Sequence, residues 1–321
     1  MEQAAKIMNR LGKEKTPFLF VIDFAMRKPL IVPLDEIDAT EILFDVNGQT
    51  NARGRPETDK TLEFNATPVS KEVYCKAFQT VQHHIRRGDS FLLNLTMPST
   101  VETNYSLREI FYRSEARYKL WLRDKLVVFS PEIFVKVNNG IISSYPMKGT
   151  MDASLPDAAE RLLASEKELA EHYTIVDLIR NDLSMVSENV EVVRFRYIDR
   201  LKTHKGALLQ MSSEIRGTLP DDYSGQIGDI LLRLLPAGSI SGAPKKKTVD
   251  IICSVENYDR GFYTGIFGIF DGVNLDSGVM IRYMEQTNTG MVYKSGGGIT
   301  ANSICEEEYR ELIDKIYVPT A

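Results

Sequence analysis

Short hydrophobic runs alternate along the chain with longer segments in which apolar residues recur at helical spacing. Runs rich in branched and aromatic residues, bounded by turn-forming residues, are typical of buried strands. Such runs occur at Phe18 to Phe24, Glu41 to Val46, Ser90 to Thr96, Tyr118 to Leu122 and Leu126 to Ser130. The pattern therefore predicts strands throughout the first half of the chain.

Several other segments show the spacing of apolar positions that predicts amphipathic helices. The clearest follows Ser70, a candidate N-cap, and ends before Gly88. The remaining helices are predicted over Ser106 to Arg113, Pro156 to Ile179, Pro244 to Val255 and Glu306 to Tyr317. The polar, turn-rich stretch between Gly48 and Lys60 is predicted to be an exposed loop.

A hairpin is predicted where two strand-like runs, Ile133 to Val137 and Ile141 to Tyr145, flank Asn138-Asn139-Gly140. Asn-Gly supplies the positive φ that a tight turn needs. The glycine-rich segment Gly261 to Gly298 alternates in polarity and predicts a β-meander. Because helices and strands follow one another without a regular βαβ rhythm, we expect an α+β fold, and a single domain over residues 1–321.

The exit of the hairpin, Ser143 to Thr150, contains a proline and a glycine that disfavour regular strand pairing. We therefore expect a turn that presents Lys148 rather than a strand that buries it in a sheet. A surface lysine in a β-turn is the commoner explanation of these eight residues, and only the rest of the chain argues for more.

Composition excludes several functional classes. The 321 residues are 43% apolar and 26% charged, with a net charge of -5 and a pI near 5.6, so no electrostatic footprint for nucleic acid is expected. No stretch approaches the roughly 20 apolar residues of a membrane span, and the first residues resemble no signal peptide. We expect a cytoplasmic protein. Cys75, Cys253 and Cys305 lack CxxC spacing, which argues against a disulfide framework or a zinc site.

Two glutamate pairs stand three residues apart on predicted helices, Glu168 with Glu171 and Glu308 with Glu311. Each pair projects from one helical face, and two such faces could meet across a cleft. Four carboxylates would repel one another without a cation, and an all-oxygen set suits Mg²⁺. Either pair alone is more commonly a solvent-facing pair.

Two glycine-rich segments invite a phosphate-binding reading that their spacing does not support. Residues Gly238 to Lys245 lack the spacing of a P-loop, although a glycine-rich turn that enters a helix can bind an anion such as a carboxylate. Gly296-Gly297-Gly298 follows a strand without opening a Rossmann unit, so a dinucleotide site is not expected.

Several longer motifs together resemble the chorismate-utilising enzymes, which include anthranilate synthase, aminodeoxychorismate synthase, isochorismate synthase and salicylate synthase. The motifs are Pro-Met-Lys-Gly-Thr at 146–150, Lys-Glu-Leu-Ala-Glu-His at 167–172, Val-Asp-Leu-Ile-Arg-Asn-Asp-Leu-Ser at 176–184, Pro-Ala-Gly-Ser-Ile-Ser-Gly-Ala-Pro-Lys at 236–245, Arg-Gly-Phe-Tyr-Thr-Gly at 260–265 and Glu-Tyr-Arg-Glu at 308–311. The resemblance covers residues 70–317, and residues 1–69 match a shortened N-terminal part. It implies a large two-layered β-sandwich flanked by helices, with the active site between the layers. Because the N-terminal part is shortened, we do not expect the tryptophan-binding pocket that relatives have there.

The resemblance also implies roles for individual residues. Mg²⁺ would be held by Glu171 and Glu311, with Glu168 and Glu308 as nearby ligands, and would grip the ring carboxylate of chorismate. Arg282 and Tyr263 would bind the enolpyruvyl carboxylate. Further substrate contacts are implied at Thr150, Ser239, Gly297, Gly298 and Lys315.

Within the family, Lys148 favours amination at C4 of chorismate, the reaction of aminodeoxychorismate synthase component I in p-aminobenzoate and folate synthesis. An enzyme amine at this position can attack C2 and expel the C4 hydroxyl, after which ammonia adds at C4 and expels the lysine. A lysine of ordinary pKa is neutral in roughly one molecule in 2,000 at pH 7, so the site is expected to lower that pKa. Glu132 matches the family's proton donor.

Other positions bear on this choice. Isochorismate and salicylate synthases activate water with a lysine at the position that matches Leu92, which argues against water as the nucleophile. Gln210 stands where the family often has histidine, so another group must replace that histidine. No glutaminase is evident in the sequence, and ammonia is expected from a separate glutamine amidotransferase subunit. Anthranilate synthase component I, or a weakly catalytic chorismate-binding subunit, are the alternatives.

Overall fold

The computed structural model describes residues 1–54, 60–203 and 206–320, without the side chains of Thr150, Lys167, Leu208 and residues 201–203. Its helices are α1 (Glu2–Lys13), α2 (Lys71–Arg86), α3 (Leu107–Arg113), α4 (Ala158–Ala164), α5 (Glu166–Ser184), α6 (Ile227–Leu234), α7 (Gly238–Ser241), α8 (Lys245–Val255) and α9 (Cys305–Asp314). Two short 3₁₀ helices cover Leu34–Glu36 and Tyr223–Gln226.

The strands are β1 (Phe18–Ile22), β2 (Leu30–Pro33), β3 (Ile42–Val46), β4 (Gln49–Thr50), β5 (Phe64–Thr67), β6 (Leu92–Thr103), β7 (Tyr118–Leu122), β8 (Leu126–Ser130), β9 (Ile133–Asn138), β10 (Ile141–Ser144), β11 (Met147–Asp152), β12 (Glu188–Thr203), β13 (Gly206–Thr218), β14 (Gly242–Ala243), β15 (Ile266–Phe270), β16 (Leu275–Val279), β17 (Tyr283–Thr287) and β18 (Gly290–Ile299). The described strands form two antiparallel sheets. The first has the order β11-β13-β10-β9-β16-β15-β1-β2, with β12 beside β13. The second has the order β14-β6-β18-β17-β8-β7-β3-β4, with β5 beside β6.

The two faces of β1 show how the layers are built. Leu19 and Val21 pack with residues of β3, β7 and β8, so they lie between the two sheets. Phe18, Phe20 and Ile22 point the other way, into a core shared with α1, α5 and α6. Because successive side chains of a strand face opposite sides, a fully apolar strand such as β1 can be buried on both faces.

The outer face of the second sheet is covered in the same way. Val127 and Phe129 of β8 pack with Ile110 and Phe111 of α3. The result is a two-layered β-sandwich flanked by helices, and the predicted α+β class is confirmed. Within the described ranges, no helix is long and apolar enough to cross a membrane.

Most local predictions are confirmed. Strands β7 and β8 have the predicted bounds, and Ser70 caps α2 by accepting a hydrogen bond from the N–H of Val73. Asn139 and Gly140 join β9 to β10 with φ angles of 48° and 80°, as a tight hairpin requires. The predicted loop at 48–60 includes β4, and its residues 55–59 lie outside the described residues.

The predicted long helix over Pro156 to Ile179 is wrong, because the chain breaks at Ser165 into α4 and α5. Ser165 is extended, with φ -66° and ψ 113°, and its hydroxyl accepts the N–H of Glu168. A serine at this point stabilises a new helix start more than it stabilises a continuing helix. The new helix start places Glu168 in the first turn of α5 and Glu171 in the turn that follows.

The segment Gly261 to Gly298 is not one meander. Strands β15 and β16 belong to the first sheet, whereas β17 and β18 belong to the second. The crossover contains Arg282, whose φ is 51°. A single glycine-rich segment therefore connects both layers and places Arg282 at the point where the chain passes between them.

Several features were not predicted. Helix α1 and the long hairpin β12–β13 were missed, and in β12 the apolar alternation changes phase at Val192 and Val193, where the pairing with β13 shifts register. The expectation against disulfides is also wrong, because Cys75 of α2 and Cys305 of α9 form one, with Cα atoms 6.0 Å apart. The cysteines are separated by 230 positions, and no local spacing signals their approach.

Candidate active site

Several of the predicted site residues lie together where β18 packs beside α9 and faces Lys148 of β11. Gly297 and Gly298 lie on β18, and a Cβ atom at Gly298 would lie 3.2 Å from the Nζ of Lys148. A Cβ at Gly297 would lie 3.3 Å from Glu311 and 3.4 Å from Glu308. The two glycines therefore leave open the space between the lysine and the carboxylates.

Lys148 lies inside β11, so the predicted turn is wrong. The pairing of β11 with β13 shifts register between Met147 and Thr150, and Gly149 has a φ of +81°. This irregularity turns the lysine out of the regular strand alternation. Its Nζ lies 3.7 Å from Glu171 Oε2, and its side chain is 23% exposed, so solvent and substrate can reach it.

Gly149 also allows α5 to approach the strand closely. A Cβ atom at this position would lie 2.8 Å from Glu168 Oε2, and the positive φ is unfavourable for other residues. Glu168 therefore lies against the backbone next to Lys148. The side chain of Thr150, a predicted substrate contact, lies outside the described part of the structure.

On the other side, Lys315 follows the end of α9. Its Nζ lies 2.5 Å from Glu311 Oε1 and donates to the carbonyl of Gly296 at 2.8 Å. Burial lowers the pKa of Lys315, and the neighbouring Glu311 opposes that effect. Lys315 thus lies at the glycine-lined end of the site, between Glu311 and the backbone of Gly296.

Glu132 and Ser239 form a hydrogen-bonded pair. The Ser239 hydroxyl donates to Glu132 Oε1 at 2.6 Å. Protein surrounds the carboxyl group closely, and burial raises the pKa of Glu132, although Ser239, Lys148, Lys315 and Arg282 each act in the opposite direction. A carboxyl group with a raised pKa keeps its proton to a higher pH than an ordinary glutamate does, which favours a role as general acid.

Arg282 has unused hydrogen-bonding capacity. Its Nε is buried and has no hydrogen-bond partner among the described residues, and its guanidinium lies 5.2 Å from the ring centre of Tyr317. Arg260 is a buried contrast, because its guanidinium donates to Glu256, to Thr264 and to the carbonyl groups of Asn94 and Ile240. A buried N–H without an acceptor is costly, so Arg282 is the arginine suited to bind an anionic ligand.

Tyr263 lies in the same environment as Arg282 and Glu132. The residue is 3% exposed, and burial raises its pKa although Arg260 and Arg282 act to lower it. The phenol therefore keeps its proton and can donate a hydrogen bond to a carboxylate.

The four glutamates fit Mg²⁺ in their chemistry. Their donors are all oxygen, and Gly297 leaves beside Glu308 and Glu311 a space that a Cβ would fill. Among the described residues, however, no three Asp, Glu, His or Cys side chains are grouped closely enough to form a ready-made metal site. Lys148 and Lys315 instead lie beside Glu171 and Glu311, so metal binding would compete with these two ion pairs.

His172 is a site neighbour that the sequence reasoning passed over. Its Nε2 lies 2.6 Å from Ser213 Oγ, which also accepts the backbone N–H of Arg196. Burial, followed by the charges of Arg196 and Lys148, lowers the pKa of His172 to about 4, so the imidazole is neutral at physiological pH. A signal was present, because His172 shares a helical face with the buried Ile175, Val176 and Ile179.

Leu92 and Gln210 are two further positions at which the resemblance distinguished this chain from members of the family. A Cβ at Gly298 would lie 3.1 Å from Leu92 Cδ1, so an apolar side chain flanks Gly298 where water-activating relatives were expected to carry lysine. Gln210 is half-buried on β13, and its backbone pairs with Thr150 of β11. Ser213, the partner of His172, follows three residues later on the same strand.

Comparison with known proteins adds to this geometry. A family model described as chorismate binding enzyme matches residues 32–321. A PabA-like protein of Pasteurella multocida is 51% identical over 97% of the chain and 96% of its own length. Anthranilate synthase component 1 of Acetivibrio thermocellus is 34% identical over 77% of the chain and 52% of its own length. Aminodeoxychorismate synthase component 1 of Bacillus subtilis is 30% identical over 86% of the chain and 60% of its own length.

A solved structure supports the architecture. The menaquinone-specific isochorismate synthase of Escherichia coli superposes with a TM-score of 0.76 over 98% of this chain and 80% of its own. Its sequence is 15% identical, so the similarity concerns the fold alone.

Proposed function

This chain belongs to the chorismate-binding enzyme family, and we propose that it is aminodeoxychorismate synthase component I. In this proposal chorismate and ammonia give 4-amino-4-deoxychorismate and water, and the product feeds p-aminobenzoate and folate synthesis. A separate glutamine amidotransferase subunit supplies the ammonia. The observation that carries the proposal is the position of the Lys148 amine, which lies against Gly298 and beside Glu171.

Lys148 acts as the nucleophile in the first half of the reaction. Its neutral amine forms a bond to C2 of chorismate, the ring double bonds shift, and the C4–O bond breaks. In the second half, ammonia forms a bond to C4, the double bonds shift back, and the C2–N bond to Lys148 breaks, while the proton that ammonia gives up passes to the departing nitrogen so that Lys148 leaves as a neutral amine. In each step the incoming group enters on the face of the ring opposite to the leaving group. After two steps the new nitrogen therefore lies on the face from which the C4 hydroxyl left, and the original configuration at C4 is restored. A covalent intermediate splits one difficult substitution into two easier ones.

Glu132 provides the proton that the leaving hydroxide needs. Its carboxyl group is held by Ser239 and has a raised pKa. Transfer of that proton lets the C4 hydroxyl leave as water, and the proton that the Lys148 amine gives up during attack balances the charge. A positioned acid of this kind contributes about 10² to 10⁴ in rate.

The carboxylates of chorismate are held at two ends of the site. Arg282 and Tyr263 bind the enolpyruvyl carboxylate through N–H and O–H donors. The remaining substrate space is lined by Ser239, Gly297, Gly298 and Lys315, and Thr150 is a further substrate contact in this proposal. Bound Mg²⁺ supplies a positive charge for the ring carboxylate, and Glu168, Glu171, Glu308 and Glu311 would hold it. Leu92 keeps an apolar side chain where a base for water activation would otherwise lie.

Replacing Arg282 by methionine should weaken substrate binding more than it slows turnover. We expect KM for chorismate to rise about 30-fold or more, because a buried guanidinium–carboxylate pair is worth several kcal/mol to binding. Arg282→Lys keeps the charge but loses the planar fork, so it should recover only part of the loss. Steady-state kinetics measure both. An unchanged KM in Arg282→Met would contradict the assigned role.

Replacing Glu311 by glutamine should raise the Mg²⁺ concentration needed for half-maximal binding by about tenfold or more, because one charged ligand is lost. Isothermal titration calorimetry with Mg²⁺ measures this directly, without turnover. Glu307→Gln is the matched control, since Glu307 is an exposed glutamate on the same helix. Equal Mg²⁺ affinity in the two variants would remove Glu311 from the metal site.

Anthranilate synthase component I is the second candidate. Its support is a relative of that name with 34% identity, against 30% for the relative named aminodeoxychorismate synthase. In that reaction ammonia itself attacks C2, and Lys148 has no covalent role. The identity of the product made from chorismate and an ammonium salt separates the two candidates, and it would also expose a subunit with little activity of its own.

A further inference from the structure

Lys245 and Asp182 form a buried ion pair that the mechanism above does not use. The Lys245 Nζ lies 2.8 Å from Asp182 Oδ2 and donates at 2.7 Å to the carbonyl of Leu234. Both side chains are largely shielded, with 17% and 10% of their surfaces exposed. Burial lowers the pKa of Lys245 and raises that of Asp182, and each partner opposes the shift of the other.

The pair closes the neck of a loop. Leu234 ends α6 and Lys245 begins α8, so the bond between them joins the two ends of segment 235–244. Asp182 ties this neck to α5. Ser239, the partner of Glu132, lies within the closed segment.

Gly238 shows how tightly the segment rests on α5. A Cβ atom at Gly238 would lie 2.9 Å from Asp182 Oδ2 and 3.0 Å from Leu178 Cδ2. Since the residue next to Ser239 is packed directly on the Asp182 carboxylate, a shift of that carboxylate would move the backbone that carries the Ser239 hydroxyl.

Asp182 and Glu132 both line one small cavity. Glu132, Asp182, Gly238 and Ser239 are among the residues that line a space of about 20 Å³, together with apolar side chains of α5, α6 and β9. That volume accommodates one water molecule, and the polar groups around it provide hydrogen-bond partners. Asp182, one partner of the ion pair, and Glu132, the proposed acid, therefore border the same small cavity.

We propose that Lys245 and Asp182 are positioning residues for the general acid: their ion pair closes segment 235–244 and holds the Ser239 hydroxyl on Glu132. The proposal rests on the function proposed above, in which Glu132 donates a proton. Neither residue contacts the substrate. Their effect reaches the reaction through one hydrogen bond, from Ser239 to Glu132.

The pH profile reports this effect. Glu132 faces Ser239, Lys148, Lys315 and Arg282, and Tyr263 lies near it. The Ser239 bond stabilises the ionised form, so its loss raises the pKa of Glu132 further. An acid must be protonated to act, and activity falls as pH rises through its pKa. Loss of the Lys245–Asp182 ion pair should therefore move the alkaline limb of the kcat profile to higher pH by roughly one unit.

The test compares Lys245→Met, Ser239→Ala and the double variant by following chorismate consumption from pH 6 to pH 10, whatever the product. We expect each single variant to lower kcat about 10- to 100-fold and to shift the alkaline limb in the same direction, and we expect Lys245→Met to change KM less than about threefold. The double variant should lose no more than the worse single variant, because both changes remove one interaction. Lys246→Met, which alters an exposed lysine on the same helix, should change neither value.

Asp182→Asn supplies an isosteric second variant if Lys245→Met does not fold, and it should show the same shift to a smaller extent. An unmoved alkaline limb, or losses that multiply in the double variant, would overturn the proposal. Because the readout is chorismate consumption, these outcomes are separate from the product analysis that tests the proposed function.

Discussion

Replacement of Lys148 by alanine should remove amination at C4 of chorismate, with a loss of about a thousandfold or more in kcat/KM for 4-amino-4-deoxychorismate. The reason is chemical, because the variant has no amine to attack C2 and no route to substitution at C4 with the original configuration. The space against Gly298 that the Lys148 Nζ occupies would also become open to ammonia. A small amount of anthranilate is therefore the expected residual product.

Two controls separate the nucleophile from the charge. Lys148→Arg keeps a cation near Glu171 but has no neutral amine at working pH, so it should be as inactive at C4 as the alanine variant. Lys136→Ala removes a lysine of β9 that pairs with Asp276 outside the site, and it should leave activity unchanged. Mass spectrometry of the acid-quenched wild-type protein should find chorismate, less one water, attached at Lys148. Normal C4 amination by Lys148→Ala would exclude the covalent route.

Replacement of Glu132 by glutamine should lower kcat by about 10² to 10⁴, because the amide keeps the shape of the side chain but cannot donate the proton. KM for chorismate should change little, since Glu132 acts on the leaving group. The alkaline limb of the wild-type pH profile should be absent from the residual activity. A Glu132→Gln variant with more than a tenth of wild-type kcat would mean that another group protonates the hydroxide.

The same variant should be more stable than the wild type above neutral pH. Burial raises the pKa of Glu132 in the folded protein, so the folded state binds its proton more tightly than the unfolded state does. Stability is therefore lost as pH rises from the unfolded pKa through the folded pKa. The difference in unfolding free energy between Glu132→Gln and wild type should be larger at pH 8 than at pH 4, as thermal unfolding at the two pH values will measure.

Local structure could be predicted from sequence where neighbouring residues decide it. Ser70 caps α2 and Asn139-Gly140 makes the hairpin turn, because a side chain or a backbone preference within a few residues settles each one. The break at Ser165 was missed because the apolar spacing of one helix continues across it, whereas the serine hydroxyl caps a new helix there. The β12–β13 hairpin was missed because the apolar alternation of β12 changes phase at Val192 and Val193, where the strand pairing shifts register.

Long-range contacts of the site could not be predicted in this way. Glycine spacing does not reveal that Gly298 faces Lys148 or that Gly297 faces Glu311, since β18 and β11 belong to different sheets. The ion pair of Asp182 with Lys245 joins helices far apart in sequence, and the disulfide does the same for α2 and α9. The family resemblance indicated which residues to examine, and the fold showed which of them lie together.

Amination at C4 is decided by identifying the product after the wild-type protein is incubated with chorismate, Mg²⁺ and an ammonium salt at mildly alkaline pH. Liquid chromatography with mass spectrometry distinguishes the candidates. We expect 4-amino-4-deoxychorismate, which retains the enolpyruvyl group. Anthranilate together with pyruvate would contradict it.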